Sequence, residues 1–397
     1  VHRPQRAMVD RTFDAITLDA FTPRGMMRMA LNVMQQSAET FRVLMPGQDS
    51  RVVWQEFRNK LQAFDLFEHV DSELRLPSGT SLPLTELIER TSALGAYRAV
   101  WAMEGVGHYY AETFYSRNGV PQNLLRSENA SALPAISMTA LHAGMGLAFA
   151  NRLLGTVNPQ SPASEIQRAL EQFIALCQDN SRRGYIGATY ESLGLVARNL
   201  YPQMVQIIDR QLSEISDLLV DYFWHGVGRA IYFAPTNFLP FNNAPWRGVE
   251  MSRREPANES GRLNALAGLV WAAMLVNIRQ PEIVETLLKH HGNELIQSDS
   301  LSNGASSAVM IWRDSTIDDS YLDAFCQYQP KSSDAGLIDL WTNQVLRPCQ
   351  DALQHIYPVL KEHDYLGETF RYQSLPELVA RLKRESVEAR RHPVLSG

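Results

Sequence analysis

A helix carrying glycines returns along this chain at near-constant intervals, and that recurrence limits what it can fold into. In order come Glu104-Gly105-Val106-Gly107-His108, His142-Ala143-Gly144-Met145-Gly146, Gly184-Tyr185-Ile186-Gly187 and His225-Gly226-Val227-Gly228-Arg229. Weaker copies follow at Ala267-Gly268-Leu269 and Asn303-Gly304-Ala305. The first glycines of successive copies lie 39, 40, 42, 42 and 36 residues apart. A period of about 40 residues is the signature of stacked helical pairs. Glycine inside a helix costs about 1 kcal/mol relative to alanine, so packing must compensate. Ala111, Ala148, Ala150, Ala188, Ala230, Ala272 and Ala273 extend the small faces, with large aromatics such as Phe149 and Trp271 beside them. Small and large residues together are what interdigitating layers require.

Other segments keep the helical period. Met26, Met29, Ala30 and Val33 share one face, as do Val53, Phe57, Leu61 and Phe64. Alternating β-branched runs bounded by Asn-Gly or Asp-Gly are missing, so hairpins have little support. The chain is therefore expected to be all-α: stacked helical repeats, solenoid- or toroid-like, with the glycine-rich helices innermost. Residues 1–96 form an N-terminal helical region in this reading, 97–330 the repeat domain and 331–397 a C-terminal helical cap. The stretch 234–245 is an apolar, proline-rich loop, packed over a pocket or offering an interaction surface. His290 and His291 end a helix that Gly292 caps.

Composition removes several classes of function. Of 397 residues, 45% are hydrophobic and 20% charged, an ordinary globular balance. Lys and Arg total 37 against 43 for Asp and Glu, a net charge of −6 with no basic tract, which disfavours nucleic acid as a partner. Cys177, Cys326 and Cys349 lie far apart without metal-ligand spacing, so a reduced, cytoplasmic setting is expected, with no metal site. No secretory h-region is readable near the N-terminus. The uncharged stretches 129–150 and 263–278 read as buried helices that fall short of a bilayer span.

Familiar motifs fail on their context. Gly144-Met145-Gly146 has Phe149 where a dinucleotide fingerprint needs its third glycine, and no strand precedes it. Asp318-Asp319-Ser320-Tyr321-Leu322-Asp323 is spaced one residue too widely for a diphosphate-binding magnesium motif and reads as an acidic helix start. The polar residues beside the glycines carry more weight. Glu104 and His108, one helical turn apart, could form an acid–base pair or half of a metal site. His142, Tyr190, Glu191, His225 and Arg229 hold comparable places in other copies, and Tyr109 and Tyr232 stand close by. Stacked in register, these groups converge into a proton-transfer or anion-binding site; each could equally satisfy a neighbouring polar group in the core. No cofactor is legible.

The order of these motifs resembles a bacterial family of unknown function first noted in enediyne natural-product gene clusters, the UnbL-like accessory proteins. The resemblance spans roughly residues 20–330: Phe21-Thr22-Pro23-Arg24-Gly25, Trp101-Ala102-Met103-Glu104-Gly105-Val106-Gly107, the second and third glycine copies, and His225 to Phe233. It implies a role in maturing a polyketide-type polyene, beside a propeller-like and a membrane-embedded protein partner. No catalytic residue carries over from it. The chain is expected to act on a hydrophobic, unsaturated small molecule, as accessory enzyme or substrate-holding subunit. Glu104 and His108 would transfer protons, and His225 and Arg229 would stabilise negative charge, with His142, Tyr109, Tyr190, Glu191 and Tyr232 contacting substrate. The alternatives are a non-catalytic repeat scaffold that docks biosynthetic enzymes, or a polyene or lipid carrier.

Overall fold

The computed structural model describes residues 50–74, 76, 82–126, 132–234, 237 and 247–391. The expected helix around residues 26–41 and nearly all of the 234–245 loop lie outside them. Among the described residues there is no strand, and the chain is all-α. The N-terminal helices are α1 (Ser50–Glu68), α2 (Val70–Glu73), α3 (Leu84–Ser92) and α4 (Ala96–Asn118). Then come α5 (Met138–Leu154), α6 (Ala163–Asn180), α7 (Ile186–Leu200), α8 (Val205–Ile215) and α9 (Asp217–Phe233). They are followed by α10 (Arg247–Arg254), α11 (Glu259–Val276), α12 (Pro281–Leu295), α13 (Ser300–Ser315) and α14 (Ser320–Gln327). The chain ends in α15 (Ala335–Trp341), α16 (Arg347–Asp351), α17 (Tyr357–Glu362) and α18 (Leu375–Arg391).

The helices divide by how much of their surface is apolar. In α6 the buried residues Ile166, Ala169, Leu170, Phe173 and Cys177 form a single stripe, the pattern of a helix with one face to solvent. In α11 every residue from Asn264 to Val276 is buried, so packing surrounds it. The glycine-bearing helices α4, α5, α7, α9, α11 and α13 pack each on the next in chain order. The last reaches back to the first two: Trp312 lies 6.1 Å from Tyr97, centroid to centroid, and Thr139 donates to Asp314 at 2.8 Å. The uncharged segments are buried among other helices from Ser137 to Ala150 and from Asn264 to Ile278, and among the described residues no helix is long and apolar enough to cross a membrane.

Glycine permits these contacts because main chain meets main chain. A Cβ on Gly144 would stand 1.9 Å from the Glu104 carbonyl oxygen, one on Gly194 1.9 Å from that of Phe223, and one on Gly228 1.9 Å from that of Ala265. No side-chain adjustment relieves such an overlap. Gly292 differs from its sequence reading: it sits inside α12, which runs on to Leu295. No positive φ marks it, and among the described residues the side chain near its open face is the tip of Leu340.

Two flanking elements complete the core. α1 crosses α4, α11 and α12, and Asn59 donates to Asn277 at 2.9 Å. At the C-terminal side, the 3-10 turn Leu366–Phe370 presses on α7 and α9, its Gly367 carbonyl against Gly187. The rod α15–α16–α17 contains π turns at Thr342–Leu346 and Ala352–Ile356, ahead of Pro348 and Pro358. A proline ring crowds the preceding turn and removes a donor, and widening that turn accommodates both effects.

Replacing Gly144, Gly194 or Gly228 with alanine should cost about 1–3 kcal/mol of stability or more, by overpacking. Gly292→Ala should leave stability unchanged or raise it slightly, through helix propensity. Chemical denaturation of the four variants decides the point.

Candidate functional site

Three of the close helix crossings carry the chemistry. The main-chain carbonyl of Glu104 lies against Gly144, that of Glu191 against Gly226, and that of His225 against Gly268. Each glycine lets its neighbour's polar residue sit deep between helices. The side chains then meet at Arg229, one turn beyond His225 on α9. Its Nη2 donates to both carboxylate oxygens of Glu104, at 2.5 and 2.7 Å. Its Nη1 donates to Glu191 Oε2 at 3.2 Å. The second Glu191 oxygen lies 3.2 Å from His225 Nδ1. The guanidinium carbon stands 5.0 Å from the ring centre of Trp271, which also meets His225 edge-on. Glu191 and His225 are fully buried; Glu104 and Arg229 are 6% and 3% exposed.

One guanidinium serves two carboxylates, and their environments push them apart. Burial raises the Glu104 carboxyl above its usual range; Arg229 opposes this without overcoming it, and the nearby Glu191 charge adds to the rise. Burial acts on Glu191 in the same sense, yet Arg229 and His225 outweigh it and hold that carboxyl below its usual range. Burial alone would lower Arg229, but Glu104 and then Glu191 raise it, so the guanidinium stays charged. Glu191 is thus a fixed anion, and Glu104 is the carboxyl that takes up a proton more readily. Separation of this kind assigns acid and base roles in many sites.

Glu104 and Arg229 also border a cavity of about 100 Å³. Its walls are Phe64 and Phe67 of α1, Trp101 and His108 of α4, Leu147 of α5, Leu195 of α7 and Phe233 of α9, with Asn151 and Asn199 as further polar groups. The His108 ring lies 5.6 Å from that of Phe67. The site is therefore apolar and aromatic, with its carboxyl and guanidinium grouped together. Among the described residues, no three His, Cys, Asp or Glu side chains converge as metal ligands do.

Of the residues singled out in the sequence, Glu104, Glu191, His225 and Arg229 form one connected network, and His108 shares the cavity. The others lie elsewhere. His142 has both ring nitrogens engaged, Nδ1 at 2.7 Å from the Met138 carbonyl and Nε2 accepting from Arg182 N at 3.0 Å. Burial, the largest influence, lowers its pKa to about 4, so it is neutral and fastens the start of α5 to the segment before α7. Tyr232 accepts from Asn277 at 2.7 Å, under the Lys60 ammonium, in the seam between α1 and α9. Tyr190 packs on Tyr222, 5.8 Å between ring centres, and Tyr109 is a half-buried residue at the core margin. Sequence reasoning missed the α1 wall, because Phe64 and Phe67 precede the first glycine copy by about one repeat length. It also missed Phe370, 5.7 Å from Trp271, for which no motif speaks.

Arg229→Met should cost about 3–5 kcal/mol at neutral pH, since two buried carboxylates lose their cation. The deficit should shrink as the pH falls and those carboxyls protonate. In the parent protein the signs differ between the two. Glu191, held low, contributes stability that is present above the ordinary carboxylate range and lost as pH falls through its folded value. Glu104, held high, favours the fold below the ordinary range, and that contribution is lost as pH rises through its folded value. Urea denaturation across pH, with Glu104→Gln and Glu191→Gln for comparison, should reproduce these opposite slopes.

Compared with protein-family models, with curated proteins and with solved structures, the chain finds no match in any of the three.

Proposed function

We propose that this chain is an accessory enzyme of bacterial, enediyne-type natural-product biosynthesis, moving a proton on an apolar, unsaturated polyketide-derived chain. In this reading the glycine helices are successive units of a toroid-like array, and the cavity beside α1 takes the reacting end of the substrate. The observation that carries the reading is Glu104: a carboxyl inclined to hold its proton, in an aromatic-lined cavity, tied to Arg229 and thereby to an ionised second carboxylate. Such a group can protonate a carbon–carbon double bond, the new C–H bond taking its electrons from the π bond. The positive charge left on carbon faces the Glu104 carboxylate and the rings of Phe64, Phe67 and Phe233, which favour a cation. Loss of a proton from the adjacent carbon to Glu104 or His108 restores a double bond in a new position, and no outside oxidant or reductant is consumed.

Arg229 then has a different part from stabilising developing negative charge. Its terminal nitrogens are directed at Glu104 and Glu191, so it holds the two carboxyls in place. About 100 Å³ is the room of roughly three water molecules, enough for one end of a chain. The remainder of the substrate would extend outside, where propeller-like and membrane-embedded partners of the kind the resemblance implies would deliver it. The same small volume favours the rival reading, a scaffold whose interior is filled by its own side chains, since ligand pockets typically span about 300–1,000 Å³.

Incubation with linear conjugated polyenes in D2O separates the two. The enzyme reading expects deuterium in recovered polyene, reduced about 10²–10⁴-fold by Glu104→Gln, and abolished by Leu147→Trp, which fills the cavity. No incorporation with any polyene, or full incorporation by Glu104→Gln, would overturn it.

A further inference from the structure

The Arg229 cluster is not electrically balanced by its ion pairs alone. Glu104 and Glu191, when ionised, bring two negative charges against the single positive charge of Arg229, and all three groups are buried. A net charge in such a place is expensive, so one further proton is required. Among the described residues, the surrounding elements offer few places for it. On α9, His225 contacts Glu191 through Nδ1. On α4, His108 lies at the cavity, half-buried. The buried stretch of α11 beside the cluster presents Trp271 and has no ionisable side chain from Ala265 to Val276. In the Leu366–Phe370 turn, Glu368 is engaged by Tyr222 and Arg371. On α8, Asp209 accepts from Trp224, and on α10 the charged residues Glu250 and Arg254 are exposed and paired with each other. α1 places Lys60 against its own Glu56.

His225 therefore stands apart as the fully buried base in direct contact with the cluster. Its Nδ1 faces Glu191 Oε1, which keeps a hydrogen on that nitrogen whatever the charge of the ring. Its Nε2 is buried and has no hydrogen-bond partner among the described residues. This is the atom that can gain or lose a proton without breaking a contact.

We propose that His225 is a positioning residue that sets the protonation of Glu104. The balancing proton rests either on the Glu104 carboxyl, with His225 neutral, or on His225 Nε2, with Glu104 ionised. Both arrangements leave the cluster neutral: in the first, Glu191 pairs with Arg229; in the second, two carboxylates face a guanidinium and an imidazolium. The two sites are joined through Arg229 and Glu191 and compete for one proton without touching. Only the catalytic consequence, that His225 governs how much of Glu104 is ready to donate, rests on the function proposed above.

The test reads protonation in the substrate-free, full-length protein. The His225 ring is followed by 15N NMR and the Glu104 acid by its infrared carbonyl band, assigned by its loss in Glu104→Gln. In Glu104→Gln one buried negative charge disappears, and the His225 midpoint should fall by about one pH unit or more. In His225→Gln the competing base disappears, and the Glu104 carbonyl band should persist to higher pH by a similar interval, because coupling of this kind is reciprocal. His142, with both nitrogens engaged, serves as the internal reference. Midpoints that stay fixed in both variants, or a shift in one without its counterpart, would overturn the proposal. If only one variant folds, its arm decides. Loss of polyene chemistry with intact coupling would sink the proton-donor reading alone, and the converse result would sink this inference alone.

Discussion

Everything at the centre of this molecule depends on helices whose main chains touch. An ordinary side chain at Gly144, Gly226 or Gly268 would overlap a carbonyl oxygen of the neighbouring helix, and those carbonyls belong to Glu104, Glu191 and His225. The glycines thus fix the separation of the helices and, through it, the reach of the polar groups. Arginine then suits the convergence point, because its planar fork can engage two carboxylates along separate edges. A lysine ammonium, being a point charge, would hold one of them. Positioning is a property of backbone here, and charge is placed on top of it.

Buried charge seldom adds net stability, since desolvation offsets the attraction. Two carboxylates and one guanidinium in a mostly apolar interior are thus poorly explained by stability alone. The use consistent with the geometry is chemical contrast. Glu191, sealed behind Arg229 and His225, is insulated from the cavity, while Glu104 faces it. Identical side chains acquire different proton affinities through the company each keeps, and the difference is set before any ligand arrives.

Much of this was legible in the chain, for identifiable reasons. Period and composition were enough for the all-α class, although Gly184 of the third copy falls in a 3-10 turn ahead of α7 and not inside a helix. Glu104, His225, Arg229 and Glu191 could be singled out because each lies next to a glycine or in a corresponding turn. His142 illustrates the limit: like His225 it stands just ahead of a Gly-x-Gly pair, though one residue further from it, yet its nitrogens are taken by a carbonyl and a main-chain amide. Sequence position does not distinguish a satisfied histidine from an unsatisfied one; only the neighbouring main chain does. Phe64, Phe67 and Phe370 were beyond reach for another cause, since they come from outside the recurring unit. Gly194 is intermediate. It lies seven residues after Gly187 on the same helix face, and that spacing was available but lost among the more regular pairs.

The Leu366–Phe370 turn sits more than 130 residues downstream of His225, yet its phenylalanine ring lies 6.5 Å from that imidazole. That ring is buried, packs on Trp271 as well, and is not part of the cavity wall. Were it withdrawn, water could hydrate the imidazole and the guanidinium, and the local dielectric would climb toward that of solvent. Glu104 and Glu191 would then come to resemble each other. The asymmetry of the centre is consequently hostage to a short piece of chain outside the recurring helices, and divergence in that tail could retune the interior without altering a single polar residue.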